Sequence, residues 1–302
     1  MIELAGVAKS FGALPALEGV DLTIRKGELF GLIGRNGAGK STLFQLMLGL
    51  LVADAGRVQV DGECVGGPRF RAVKRRLGYL PENVVLYDNL TGLETLRFFA
   101  RLKGADSAEC APLLDQVGLT AAAGRKVREY SKGMKQRLGF AQALLGDPAL
   151  LFLDEPTNGL DPEGIREFYR TLKVRQEAGT TIVITSHILA EIQQRVDRLA
   201  ILQGGRIRAV GSVPALRGEA NLPLSMEVVA HSDDTEALAQ ALRREPFGKL
   251  TIHGRHIRFE CPRDAKMTAI AALSPLAGRI ADLQIQEPSL EDVFLGCTEV
   301  AA

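Results

Sequence analysis

The apolar run from Leu29 to Ile33 leads directly into Gly34-Arg35-Asn36-Gly37-Ala38-Gly39-Lys40-Ser41, and beyond Lys40 the residues Leu43, Leu46, Met47 and Leu50 recur at helical spacing. Strand, glycine-rich loop and helix in that order admit few folds. The loop fits G-x-x-x-x-G-K-[ST], in which glycines let backbone N–H groups turn toward phosphate oxygens while the helix N-terminus adds its positive dipole end. On this reading Gly34, Asn36, Gly37, Ala38, Gly39 and Thr42 surround the phosphates, Lys40 reaches the β- and γ-phosphates, and Ser41 offers a hydroxyl to Mg2+. A glycine-rich turn with an unrelated lysine would carry the same letters, but it would not need a buried strand before it and an amphipathic helix after it.

A second run, Leu150-Leu151-Phe152-Leu153-Asp154-Glu155, is an apolar strand ending in two carboxylates. That places acids at the carboxyl end of a sheet strand, where α/β proteins bind their ligands. Asp154 suits a magnesium position, and Glu155 can accept a proton from an attacking water or hold it in line with the γ-phosphate. Acidic residues also end strands and cap helices without chemical purpose; the phosphate-binding loop in the same chain favours the catalytic reading. These two motifs alone leave ATPases and kinases equally open.

Alternation from Ile2, a break at Gly12 and a second alternating stretch near Leu17 to Ile24 predict edge-like strands ahead of the loop. From Leu93 to about Arg128 the pattern is helical, which predicts a helical insert over about residues 90–140. Leu150 to Leu153 and Thr181 to Thr185 read as buried strands flanking a helix around Gly164 to Glu177, the alternation of a parallel sheet. Leu199 to Leu202, Gly204-Gly205 and Arg206 to Val210 predict a closing hairpin. The chain turns loop-like around Gly211 to Pro223, so a nucleotide-binding domain is expected over 1–218 and a C-terminal accessory domain over 219–302. The tail reads strand (Ser225 to Ala230), helix (Thr235 to Arg244), hairpin (Leu250 to Glu260), helix (Ala265 to Leu273), strand (Ile280 to Gln286) and helix (Ser289 onward), close to a ferredoxin-like pattern. The expected fold class is α/β: a parallel core sheet, antiparallel N-terminal strands and a helical insert, plus a small α+β domain.

With Lys+Arg 37 against Asp+Glu 36, the net charge of +1 leaves no basic footprint of the kind nucleic-acid binding produces, and no nucleic-acid partner is expected. Cys64, Cys110, Cys261 and Cys297 form no C-x-x-C pair and read as free thiols of a reducing compartment. No uncharged apolar run approaches the ~18 residues of a membrane span, so the chain is not expected to cross a bilayer by itself. His253-Gly254-Arg255-His256 reads as a glycine hairpin turn rather than a metal pair, and Glu287-Pro288-Ser289-Leu290-Glu291-Asp292-Val293-Phe294 as a capped helix start.

Between the two phosphate-site motifs stands Tyr130-Ser131-Lys132-Gly133-Met134-Lys135-Gln136-Arg137, shortly before Asp154. In type and place it resembles the signature motif of the ATP-binding-cassette (ABC) family, and that resemblance covers Ile2 to about Gly211. Tyr130, Lys132 and Met134 replace Leu, Gly and Gln of the usual Leu-Ser-Gly-Gly-Gln, while Ser131 and the second glycine, Gly133, are kept. The resemblance implies that Ser131 and Gly133 touch the γ-phosphate bound to an opposite subunit, so that two chains form a homodimer around two ATP molecules with Mg2+. It also implies that Gly159-Leu160-Asp161 is the loop crossing that interface, with Asp161 near ATP. His187, in Thr185-Ser186-His187, resembles the switch histidine on the γ-phosphate, and Phe11 the aromatic that stacks on adenine, a contact of about 1–3 kcal/mol. A core role is the plain alternative for Phe11.

Where many relatives carry glutamine, Leu80-Pro81-Glu82-Asn83 has Glu82, which still offers an oxygen to Mg2+ or water. Subfamilies of prokaryotic exporter ATPases share that glutamate, so the resemblance points toward them. The basic run Arg69, Arg71, Lys74, Arg75, Arg76 just before it reads as a solvated helix face, or one lying near anionic headgroups. The segments Gly78 to Tyr87 and Glu94 to Ala105 resemble the subgroup of ATPase subunits that serve maturation of nitrous-oxide reductase and its copper centre. Such a subunit works at the cytoplasmic face of the inner membrane with integral membrane permease subunits and a periplasmic accessory protein; copper or sulfur would be handled by those partners. The runner-up is the ATPase of a drug, antibiotic or polysaccharide exporter. A non-transport cassette ATPase usually brings tandem cassettes or long coiled-coil arms, which are absent, and Lys40, Asp154, Glu155 and His187 argue against a non-hydrolysing regulator.

Overall fold

The structure is a computed structural model that describes residues 1–220, 223–231, 234–244 and 247–287. The chain divides into two compact units, Met1–Val213 and Pro214–Ala302.

In the first unit, β1 (Ile2–Phe11) and β2 (Leu14–Ile24) pair antiparallel, burying Ile2, Leu4 and Val7 against Leu17, Val20, Leu22 and Ile24. The alternation in their sequences is this inward face. β3 (Leu29–Ile33) is buried at every residue, as expected of a strand covered on both sides. It feeds through residues 34–39 into α1 (Lys40–Met47), whose Leu43, Phe44, Leu46 and Met47 enter one core with residues of β1, β2 and β3. Two short strands follow, β4 (Ala55–Val60) and β5 (Glu63–Cys64), which complete a four-stranded antiparallel sheet in the order β2-β1-β4-β5. Next come α2 (Phe70–Arg75), whose solvated side carries the basic run, and β6 (Leu77–Leu80).

The stretch expected to be helical is α3 (Gly92–Lys103), α4 (Cys110–Gln116) and α5 (Lys132–Leu144), joined by short 3-10 turns. Thr91 starts α3 with a full capping box with Glu94, and Gly104 ends it in the left-handed region. β7 (Leu150–Leu153), α6 (Pro162–Glu177), β8 (Thr181–Ser186), the single turn α7 (Leu189–Ile192) and the hairpin of β9 (Arg198–Gln203) and β10 (Arg206–Gly211) complete the unit. Its central sheet runs β10-β9-β3-β8-β7-β6, parallel except for β10. Phe152 of β7 meets Phe44 of α1 edge-on at 5.4 Å, so the phosphate-loop helix is seated on the strand that carries the two acids.

Strands β4, β5 and β6 were not anticipated. The cause at β6 is specific: Gly78 weakens any strand pattern, yet it is required because the Ala143 carbonyl of α5 occupies the space a Cβ would fill.

A helix, α8 (Val213–Ala220), spans the division between units. The second unit runs β11 (Leu224–Ala230), α9 (Thr235–Leu242), β12 (Thr251–His253), β13 (His256–Cys261), α10 (Lys266–Leu273) and β14 (Ile280–Gln286). Its antiparallel sheet has the order β12-β13-β11-β14. Met226, Val228, Ile257 and Phe259 on one face pack against Leu238, Ala239, Leu242, Ala269 and Leu273 of the two helices. On the opposite alternation, Glu227 holds His256 Nδ1 at 2.7 Å and Arg258 at 2.8 Å. The helix expected from Ser289, the segment Pro288 to Phe294 and Cys297 lie outside the described residues. No helix among the described residues is long and apolar enough to cross a membrane.

Candidate functional site

The loop after β3 is fixed by its surroundings as well as by its glycines. Gly39, the residue before α1, has φ 103, and a Cβ there would sit 2.6 Å from the Ala16 carbonyl, so no other residue fits. The β9–β10 turn supports the loop from behind: Gly205 N–H donates to Ala38 O at 3.2 Å, and Glu18 N–H donates to Gly205 O at 2.9 Å. Inside this cradle Lys40 is buried, its Nζ donating to Gly34 O at 2.6 Å and Arg35 O at 3.3 Å, with Glu155 Oε1 at 3.8 Å. Desolvation lowers its pKa, opposed by the negative charges of Glu155, Asp154 and Glu82.

Asp154 and Glu155 leave the end of β7 as the sequence suggested, both buried. Burial raises the Asp154 pKa, opposed first by a hydrogen bond from Thr185 and then reinforced by the nearby Glu82 charge; Lys40 and Ser41 pull it down. Glu155 takes φ 46, an uncommon region for a residue with a side chain. Its Oε2 lies 2.7 Å from His187 Nδ1. Lys40, Glu155 and His187 thus stand in one contact chain at the mouth of the loop.

These groups open onto a cleft of about 530 Å3. Of the residues expected at the nucleotide, Phe11, Asn36, Gly37, Ala38, Gly39, Lys40, Ser41, Thr42, Glu82, Asp154, Glu155 and His187 all line it, and Gly34 stands behind it as the acceptor for Lys40. Phe11 is 49 % exposed at the end of β1, which removes the core alternative, and Lys9 Nζ stands 5.8 Å from its ring centroid. Leu14, Pro15 and Ala16 of β2 form a further wall that the sequence reading did not single out, since nothing in their types marks a binding role.

Ser131, Gly133 and Asp161 are not among the residues lining that cleft. Ser131 caps α5, accepting from Met134 N–H at 3.2 Å, and Asp161 caps α6, accepting from Gly164 N–H at 3.0 Å and Arg137 at 3.3 Å. Gly133 faces the loop before α6 closely: a Cβ on it would lie 2.8 Å from Gly159 O. Gln136, buried one turn on, donates to Pro156 O at 3.0 Å. The start of α5 is therefore joined directly to the segment that follows Glu155.

The donor set fits a nucleotide with Mg2+. A hydroxyl (Ser41) and two carboxylates (Asp154, Glu82) gather beside a lysine at a helix N-terminus. Burial disfavours the charged form of Asp154, a penalty that a bound hard cation would offset. When bound, Mg2+ would neutralise charge developing on the β- and γ-phosphate oxygens.

A parallel sheet, this loop and the paired acids at a strand end define a P-loop nucleotide hydrolase. Residues 17–158 match the ABC transporter family. Linearmycin resistance ATP-binding protein LnrL of Bacillus subtilis is 32% identical over 311 residues, covering 99% of this chain and 98% of that protein. Nod factor export ATP-binding protein I of Rhizobium sp. (strain N33) is 38% identical over 303 residues, covering 98% and 96%. A solved ATP-binding cassette, a dimer in a post-hydrolysis state bound to ADP and Pi, is 26% identical with TM-score 0.65, covering 70% of this chain and 99% of that one. The chain belongs to the ABC transporter family as an ATP-binding subunit, an ATPase whose hydrolysis is coupled to transport.

Proposed function

We propose that this chain works as a homodimer of cassettes docked to integral membrane permease subunits at the cytoplasmic face of the inner membrane. In this arrangement Ser131 and Gly133 of one copy complete the ATP site of the other. The supporting observation is the separation of the parts: loop, acids and His187 line one cleft, while Ser131 and Gly133, at the capped start of α5, are not part of its lining. A similar cassette forms a dimer with ADP and Pi. In turnover Lys40 and the loop backbone hold the β- and γ-phosphates, Ser41, Asp154 and Glu82 would hold Mg2+, and Glu155 accepts the proton of the attacking water. His187, 2.7 Å from Glu155, orients that carboxylate toward the γ-phosphate. Phe11 stacks on adenine, and Asp161 fixes the interface loop. The accessory domain expected over 219–302 has a ferredoxin-like topology in its described strands, a reading favoured by the order β12-β13-β11-β14.

Glu155→Gln tests the core of this proposal. The amide keeps the shape but cannot take the proton, so the variant binds ATP, barely hydrolyses it and accumulates as an ATP-bound dimer on sizing with ATP and Mg2+. Undiminished hydrolysis would contradict the role.

For the cargo system, the segments Gly78 to Tyr87 and Glu94 to Ala105 favour the transporter that serves nitrous-oxide reductase copper-centre maturation, with a periplasmic accessory protein as a further partner. Loss of the gene should leave the exported reductase without its copper–sulfur centre. The alternative, an exporter of a drug, antibiotic or polysaccharide, draws on relatives named for linearmycin resistance and Nod factor export. It predicts an intact reductase and a changed sensitivity or secreted product instead.

A further inference from the structure

We propose that Thr185 is a positioning residue for ATP hydrolysis, its single hydroxyl holding the Asp154 carboxylate and the Glu155 backbone in place together. The inference rests on the roles proposed above for those two acids. Thr185 is fully buried near the end of β8, a strand of otherwise apolar residues from Ile182 to Ile184. A β-branched valine would suit that environment better, since a hydroxyl buried among apolar side chains is unfavourable unless it is bonded.

Here it is bonded twice. Thr185 Oγ1 donates to Asp154 Oδ1 at 2.6 Å and accepts from Glu155 N–H at 2.9 Å, with both atoms buried in each case. One proton and one lone pair of the hydroxyl are thereby committed to two consecutive residues of β7's end, and the reverse assignment is closed because a backbone N–H can only donate. The second bond falls on the residue with φ 46. A left-handed backbone at Glu155 turns its side chain toward His187 and Lys40, and a conformation that side-chain-bearing residues seldom adopt persists only where its surroundings over-determine it. Thr185 supplies part of that determination. It also reaches across from the neighbouring parallel strand, where Ile184 pairs with Leu153, so the two acids are registered to β8 and through it to His187 two residues further on. Site geometry is preserved only when supporting groups lock it.

The test uses the full chain and compares Thr185→Val, Thr185→Ala and Thr185→Ser. Valine and alanine remove the hydroxyl with opposite changes in packing; serine keeps it. The expected result is a kcat about ten- to hundredfold lower for valine and alanine, the scale on which small misplacements reduce turnover. The Mg2+ concentration for half-maximal activity should rise, while affinity for ATP without metal stays within about twofold because the loop and Lys40 hold the phosphates. Mn2+ bound with ATP, followed by electron paramagnetic resonance, reports the Asp154 half of the effect even where turnover is slow. Serine should restore both readouts. The proposal is overturned if valine and alanine fold and turn over like the parent with an unchanged metal requirement. A serine variant as impaired as valine also overturns it, because the hydroxyl would then not be the cause. Unimpaired hydrolysis by Glu155→Gln would instead remove the site reading on which it stands.

Discussion

Replacing Gly133 by alanine sets two effects against each other. Gly133 lies in the first turn of α5, where alanine is the better helix former by about 0.5–1 kcal/mol. Against that, the new Cβ would lie 2.8 Å from the carbonyl oxygen of Gly159, a backbone atom that cannot swing aside as a side chain can. Overpacking of this kind costs about 1–3 kcal/mol. The balance is a loss of up to about 2.5 kcal/mol, and at roughly 2–4 °C per kcal/mol for a unit of this size the melting temperature falls by up to about 10 °C without loss of the fold. Function should respond more sharply. Gly133 does not line the cleft that holds Lys40, so ATP affinity of the chain stays near the parent value. The start of α5 and the loop through Gly159 must separate by several tenths of an ångström, and both are surfaces proposed to meet the other copy's ATP. Turnover should therefore fall by about tenfold or more, and Gly133→Ala placed on Glu155→Gln should weaken the ATP-trapped dimer. Thermal unfolding, ATP titration, steady-state hydrolysis and sizing measure these separately. Full hydrolysis with an intact trapped dimer would refute the reasoning, as would a loss of ATP affinity equal to the loss of rate.

Lys40→Ala removes the cation that sits on Gly34 O and faces Glu155 at 3.8 Å, so ATP binding or turnover is abolished; near-normal hydrolysis would sink the phosphate-loop assignment. Glu82 lines the cleft beside Asp154: Glu82→Gln keeps an oxygen and should retain much of the ATPase, whereas Glu82→Ala should lose turnover in the assembled transporter, with ATP affinity little changed in either. An alanine variant matching the parent in affinity, rate and assembly would exclude that role.

The parts of the site legible in sequence are those written in consecutive residues. The loop from Gly34 to Ser41 and the strand ending in Asp154 and Glu155 each carry their geometry locally, through a buried strand that stops and a backbone that must turn. The tail was legible for a similar reason, since β11 alternates buried and partly buried residues without interruption. What escaped was set by contacts between distant segments. Thr185 reaches Glu155 across 30 residues, and nothing in Thr185-Ser186-His187 marks the threonine as more than strand-forming. Glu155's left-handed backbone is likewise invisible, because the residue types that advertise that conformation are glycine and asparagine. β6 was lost to Gly78, a residue that disfavours strands and is present only because α5 approaches there.

The departures of the signature segment from the usual family pattern follow the same contacts. Tyr130 stands in place of leucine and remains a buried anchor, 6 % exposed, with its hydroxyl satisfied by donation to Ala122 O at 2.7 Å; the added polar atom is accepted because a partner is within reach. Lys132 replaces a glycine at an exposed position, and its methylenes lie across Gly159, where a Cβ would meet them at 3.0 Å; the loop glycine, held at φ 85, makes room for the lysine that the helix gained. Ser131 and Gly133 have no such latitude. The serine hydroxyl takes up the Met134 N–H that the first turn of α5 leaves unpaired, and the glycine abuts a carbonyl. Two of the three departures thus fall where a side chain is buried with its polar atom bonded or laid over a neighbouring glycine, and the structure gives no reason for Met134. The retained pair is the one whose atoms meet backbone, the Met134 N–H at Ser131 and the Gly159 carbonyl at Gly133, and it is the pair proposed above to complete the other copy's ATP site.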